Sequence, residues 1–207
     1  MKPIDIDNYE LEISSDCNAE CPLCQRTHMK MPLRGNNNIS LADLKNIFYK
    51  DEYIDGKEFK LCGVLGDPIL NSECIEICDF LSSKGARKIA LSTNGGMNTP
   101  EWWTRLANIQ NVQVDFCVDG FENTNHIYRV NVKWPTLLRN MKAYSKAKGK
   151  ATWVFIPFSH NEDDYEKAKN LAHEFGFRFV KRTSGRNELN KKTVSYTHLR
   201  AHETLLD

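Results

Sequence analysis

Six apolar runs with strand character recur along this chain, and helical patterns separate them. Such alternation constrains the fold strongly, because parallel strands need long crossovers and helices usually supply them. The strand segments read as Tyr9–Ser14, Lys60–Leu65, Lys88–Ser92, Val112–Val118, Ala151–Phe158 and Arg178–Lys181. Between them, Leu41, Leu44, Ile47 and Phe48 keep a helical period behind a Ser40 N-cap, and so do Ile75, Ile77, Phe80 and Leu81. Further helices are expected around Trp102, Trp103, Leu106 and Ile109, from Trp134 to Ala147, and from Asp163 to Phe175. The expected class is therefore α/β, a parallel sheet with helices outside it. Periodicity alone leaves an open doubly wound sheet and a barrel both available. In either, sites lie at the carboxyl ends of the strands.

Composition narrows the function classes. The 207 residues can bury a sizeable core, in one domain or two small ones. Hydrophobic residues make up 41% and charged residues 27%, as in soluble globular proteins. With 28 basic and 27 acidic residues and no block of like charge, nothing signals a nucleic-acid or membrane surface. The start, Met1-Lys2-Pro3-Ile4-Asp5, lacks the apolar run of a signal peptide, and no stretch has the length of a membrane span. Seven cysteines, an odd number, fit a reducing cytoplasm better than a disulfide framework.

Three of those cysteines carry the chemistry. Cys17, Cys21 and Cys24 form a C-x3-C-x2-C run just after the first strand. Thiolates select iron–sulfur clusters or zinc, and ordinary structural centres take four protein ligands. A triad without an obvious fourth cysteine suggests a cubane with one iron open to a substrate. The rival is a zinc-stabilised interaction module using Cys17, Cys21, Cys24 and His28. Cys62 has no fourth-ligand logic, and Cys74 and Cys78 share a helix face and read as core.

The triad, with apolar Leu23 before its last cysteine, resembles the signature of the radical S-adenosylmethionine (radical SAM) superfamily. In style it is most similar to the MoaA/PqqE-like branch, whose members often carry a C-terminal SPASM or twitch extension. The resemblance implies a partial (β/α)6 half-barrel and two cofactors, a [4Fe–4S] cluster and S-adenosylmethionine. It also implies an electron donor of the flavodoxin or ferredoxin kind and a peptide or small-molecule substrate. Reductive cleavage of S-adenosylmethionine to a 5′-deoxyadenosyl radical, which takes hydrogen from the substrate, is the implied reaction.

Further motifs follow at successive strand ends. Gly63-Val64-Leu65-Gly66-Asp67-Pro68 resembles the turn that meets the amino group of S-adenosylmethionine, with Asp67 where Glu is commoner. Ser92-Thr93-Asn94 ends the third strand, and the resemblance assigns it to the ribose and methionyl parts. Phe116-Cys117-Val118-Asp119-Gly120 is similar to a Ser-x-Asp-Gly ending, with Cys117 a weaker donor in place of Ser. Arg129 matches an Arg that grips the ligand carboxylate, for which a planar fork is suited. Ile156 would lie against the adenine. His28, Arg34 and Asn36, in the long loop after the cysteines, are candidates for substrate contact.

The end of the chain departs from this pattern. From Val194 onward the sequence has no core-facing period and resembles translated adapter read-through, so a core domain of 1–192 and a non-native tail of 193–207 are expected. The genuine chain would then be longer. His198 and His202 stand four apart in that tail and are not expected to bind metal. Ending the chain at Lys192 should leave the melting temperature almost unchanged, and His198→Ala with His202→Ala should leave metal content unchanged. A large destabilisation or loss of metal would show that the tail is genuine protein.

Overall fold

A computed structural model describes residues 6–35 and 37–183. Six parallel strands form one sheet in chain order. They are β1 (Asn8–Leu11), β2 (Glu58–Leu61), β3 (Lys88–Thr93), β4 (Val112–Cys117), β5 (Lys150–Phe155) and β6 (Arg178–Lys181). Helices α1 (Gln25–His28) and α2 (Leu41–Ile47) follow β1, and α3 (Cys74–Ser83) follows β2. After β3 comes α4 (Pro100–Ala107), after β4 come α5 (Asn125–Tyr128) and α6 (Trp134–Lys146), and after β5 comes α7 (Tyr165–Glu174). Asn36, the 192/193 boundary and the tail histidines lie outside the described residues.

Strand order separates the two architectures that periodicity leaves open. A doubly wound sheet reverses direction at a switch point; this one never does. Right-handed crossovers that always step the same way keep the helices on one face. The sheet is therefore an open (β/α)6 half-barrel, with β1 and β6 at its edges.

Its two faces differ in chemistry. Leu61, Leu91 and Val114 stand in register, and beside them Phe116 pairs with Trp153; all are buried against the helices. On the opposite face Ser92, Asp115 and Thr152 stand in register. Period-two alternation thus sends the large apolar side chains outward to the helices and these polar ones into the barrel interior, where Ala90 and Val154 also stand.

Several elements end earlier than their apolar runs. Strand β1 stops at Leu11 because Ile13, Ser15 and Cys17 bond instead to the returning segment at Ile39, Asn37 and Leu33. Strand β2 spans Glu58–Leu61, not Lys60–Leu65: the Glu12 carboxylate takes the amides of Leu65 and Gly66 at 2.7 and 2.9 Å and bends the chain out of the sheet. Strand β5 stops at Phe155 because the Ile156 amide turns to Asp119, 2.8 Å away. Ser40 caps α2 as expected, in a reciprocal box with Asp43.

An aromatic cluster locks the helices onto the sheet centre. Phe116 meets Trp103 at 5.1 Å, Tyr144 at 5.7 Å and Phe177 at 5.7 Å between ring centroids. Trp103, Phe116 and Tyr144 are fully buried, and the Trp103 indole donates to the Met97 carbonyl. The Trp102-Trp103 pair is thus half core. Phe116→Ala should destabilise the fold by about 3–5 kcal/mol, read from urea unfolding. A loss under about 1 kcal/mol would show that this cluster does not anchor the sheet.

Candidate active site

The cysteine loop leaves β1 and crosses the carboxyl rim of the sheet. Cys24 is the N-cap residue of α1, with its amide bonded to the Cys21 carbonyl. The Ala19 amide donates to the Cys17 sulfur at 3.4 Å. Burial pushes the Cys17 thiol up to about 12, with Asp67 adding to the rise and Arg26 opposing it. The Cys21 thiol is raised by burial and pulled back by Arg129. Thiols in this state give up their protons when metal binds, so loading the site releases protons.

The turn after β2 packs beneath that loop. A Cβ built on Gly66 would lie 1.8 Å from the Ser14 carbonyl oxygen, so the loop backbone itself forces glycine there. Asp67 is buried. One of its carboxylate oxygens accepts from the Asn94 amide at 2.8 Å and the Asn94 side chain at 2.7 Å, and the other faces the Ile69 amide. The resemblance gives the ligand ammonium to this turn, its exposed carbonyls together with the Asp67 carboxylate. The structure turns that carboxylate toward the end of β3, and Asp67 also lines the cleft. Pro68 is buried at the start of a single 3-10 turn.

At the end of β3, Asn94 joins three segments. Its side-chain nitrogen reaches Asp67, Asn18 at 2.9 Å and the Cys17 sulfur at 4.0 Å, while its oxygen accepts the Gly96 amide. Thr93 caps the same turn through the Gly95 amide. Gly95 is left-handed at φ 68°, packed against Leu137 and Phe116.

Beyond β4, Asp119 is fully buried and does not reach the cleft. It holds the Arg129 Nε at 2.7 Å through one oxygen and the Ile156 amide at 2.8 Å through the other. Burial raises the Asp119 carboxyl, and the Arg129 charge works against that rise. Asp119 therefore acts through Arg129, whose Nη1 lies 3.9 Å from the Cys21 sulfur. The Cys117 thiol is pushed up to about 11 by burial and approaches the Asp115 carbonyl.

All three cysteines open onto one cleft of about 320 Å³. Gly66, Asp67, Ser92, Thr93, Asn94, Cys117, Arg129 and Ile156 line it as well. Leu23 is buried beneath the loop, and Pro68 and Asp119 stand behind the lining. His28 and Arg34 are exposed and do not line the cleft. Sequence reasoning missed Glu12, Asn18 and Arg26. Glu12 carries a legible signal: it alternates with Leu11 and Ile13 at the end of a strand, so it faces away from the core. Nothing local marks Asn18, whose partner Asn94 is distant, or Arg26, whose bond to Leu65 joins it to a separate segment.

A family model described as the Radical SAM superfamily matches residues 11–185. A probable GTP 3′,8-cyclase of Methanothermobacter marburgensis is 29% identical over 88 residues, which are 42% of this chain and 27% of that protein. The GTP 3′,8-cyclase of Mannheimia succiniciproducens is 26% identical over 109 residues, 51% of this chain and 32% of that one. The chain thus spans about a third or less of the curated relatives it matches. Streptococcus suis SuiB, crystallised with S-adenosylmethionine, shares the fold at a TM-score of 0.67 and 13% identity, over 91% of this chain and 44% of SuiB. SuiB has also been crystallised with its precursor peptide SuiA. With the family match running through nearly all the described residues, the chain belongs to the radical SAM superfamily.

Proposed function

We propose that this chain is the core of a radical SAM enzyme in which Cys17, Cys21 and Cys24 hold a [4Fe–4S] cluster and S-adenosylmethionine fills the adjoining cleft. Those two cofactors are the superfamily's own. The residues present fit them. Three soft donors share one cleft with a glycine turn and a cationic side chain, and that convergence is the observation that carries the reading. When bound, the pair supplies a strongly oxidising carbon radical that takes hydrogen from an unactivated position.

The chain's own residues bind, orient and exclude water. Arg129 has its Nε committed to Asp119, which leaves the outer guanidinium to pair with the ligand carboxylate. The carbonyls of the Gly63–Gly66 turn suit the ammonium. Ser92, Thr93 and Asn94 offer hydroxyl and amide groups to the ribose and methionyl portions, with Cys117 beside them. Ile156 gives the adenine an apolar wall, and Asp119 holds Arg129 in place. Leu23 and Pro68 support the lining from beneath.

The substrate is an organic molecule admitted through the open mouth, a peptide or a small metabolite. The peptide complex of SuiB supports the first, and the cyclase names support the second. A flavodoxin- or ferredoxin-like protein is the expected electron source. We place the protein in the cytoplasm; no described helix is long and apolar enough to cross a membrane.

No observation favours the zinc module. His28 is exposed outside the cleft, and among the described residues no three His, Cys, Asp or Glu side chains converge as one metal ion requires. Separate irons of a cubane do not require that convergence.

Anaerobic reconstitution tests the reading. The wild-type protein should turn brown with broad absorption near 400 nm (roughly) and form 5′-deoxyadenosine from S-adenosylmethionine on reduction. Replacing Cys17, Cys21 and Cys24 by Ala should abolish iron binding, whereas Cys62→Ala, Cys74→Ala or Cys78→Ala should spare it. Equal iron loss from the second set would sink the assignment. Arg129→Met should keep iron but weaken S-adenosylmethionine binding by about 10- to 100-fold, the worth of a charge-assisted hydrogen bond. Undiminished affinity in equilibrium dialysis would remove Arg129 from the ligand.

A further inference from the structure

Among the described residues, Arg26 is the one arginine in the set of largest fully buried side chains, at 1% exposure. Its guanidinium donates to four main-chain carbonyls: Nε to Leu65, Nη1 to Met31 and Pro32, and Nη2 to Ser15. Those acceptors come from three separate stretches. Ser15 opens the cysteine loop, Met31 and Pro32 close it, and Leu65 belongs to the turn after β2. No carboxylate pairs with Arg26 among the described residues. A buried cation held only by carbonyl dipoles is costly, so a role is needed to explain why an apolar residue does not fill the space.

Geometry supplies that role. Four acceptors in different directions match a planar fork with five donors, which Lys cannot reproduce. Leu65 is fixed from both sides: its carbonyl by Arg26 and its amide by Glu12, the residue just past β1. Cys24, two residues before Arg26, has its sulfur 3.8 Å from the Val64 carbonyl in the same turn. A shift of the turn would therefore alter the distance between the third cysteine and the turn residues that line the cleft.

We propose that Arg26 is a positioning residue that clamps the cysteine loop to the Gly63–Asp67 turn, so that the cluster ligands and the S-adenosylmethionine-binding turn are held as one unit. Its consequence for cofactor geometry rests on the radical SAM reading above; the clamp itself does not.

Two variants and two kinds of measurement test it. Arg26→Met keeps length and removes every donor, while Arg26→Lys keeps the charge and loses the fork. In the unloaded protein, hydrogen exchange at residues 63–67 and 15–17 should accelerate together, by roughly tenfold or more in Arg26→Met and less in Arg26→Lys. In the reconstituted protein, Arg26→Met should retain iron, bind S-adenosylmethionine roughly tenfold more weakly, and lose part of the change that this ligand makes in the electron paramagnetic resonance spectrum of the reduced cluster. A purely structural role would lower the melting temperature yet leave turn exchange and ligand affinity of the folded fraction unaltered, and that result overturns the proposal. Should Arg26→Met fail to fold, Arg26→Lys decides by the same readouts. If the wild type takes up no cluster, the radical SAM reading fails, while the exchange experiment still decides the clamp.

Discussion

The buried Asp67 carboxylate is the interaction on which the rim of this half-barrel depends. Three loops with little regular structure meet there: the cysteine loop, the turn after β2 and the end of β3. Asp67 gathers the amide and side chain of Asn94, and Asn94 in turn reaches Asn18 between the first two cysteines. Burial makes its charge costly and raises its pKa, an effect that the surrounding donors oppose. Such a group is worth keeping only where its hydrogen bonds hold a specific arrangement.

The same device recurs on the other side of the cleft. Asp119 ties β4 to the exit of β5 and steadies Arg129, while Asn161 braces the Asp119 and Ile156 carbonyls. Two buried carboxylates thus serve the cleft, Asp67 within its lining and Asp119 behind it, each fixing a residue that faces it. Irregular backbone carries unsatisfied donors and acceptors. Asp, Asn and Arg side chains meet them here because the strands end before the loops begin.

This division also explains the sheet. Its helix-facing side is a continuous apolar layer from Phe59 to Trp153, and that layer provides the stability. Its inner side is polar and only half covered at Ser92, Asp115 and Cys117. An interior that must admit a ligand cannot be filled with interlocking apolar side chains. Stability and chemistry are thereby assigned to opposite faces of the same strands, alternating residue by residue.

What the sequence by itself determined is mostly local. Period-two and helical patterns gave the six strands and the helices between them, since each element buries one face and so writes its period into the chain. The cysteine spacing and the polar endings of the third and fourth strands were legible for the same reason: their residues are neighbours in sequence. Tertiary structure decided the rest. Strand order, and with it the half-barrel, depends on which edges pair. The inward turn of Asp67, the retreat of Asp119 behind Arg129 and the burial of Arg26 rest on bonds spanning 27, 10 and 39 residues, respectively. Hydrogen bonds of that reach leave no period in a sequence, because their partners come together only when the sheet brings successive strand ends to one rim.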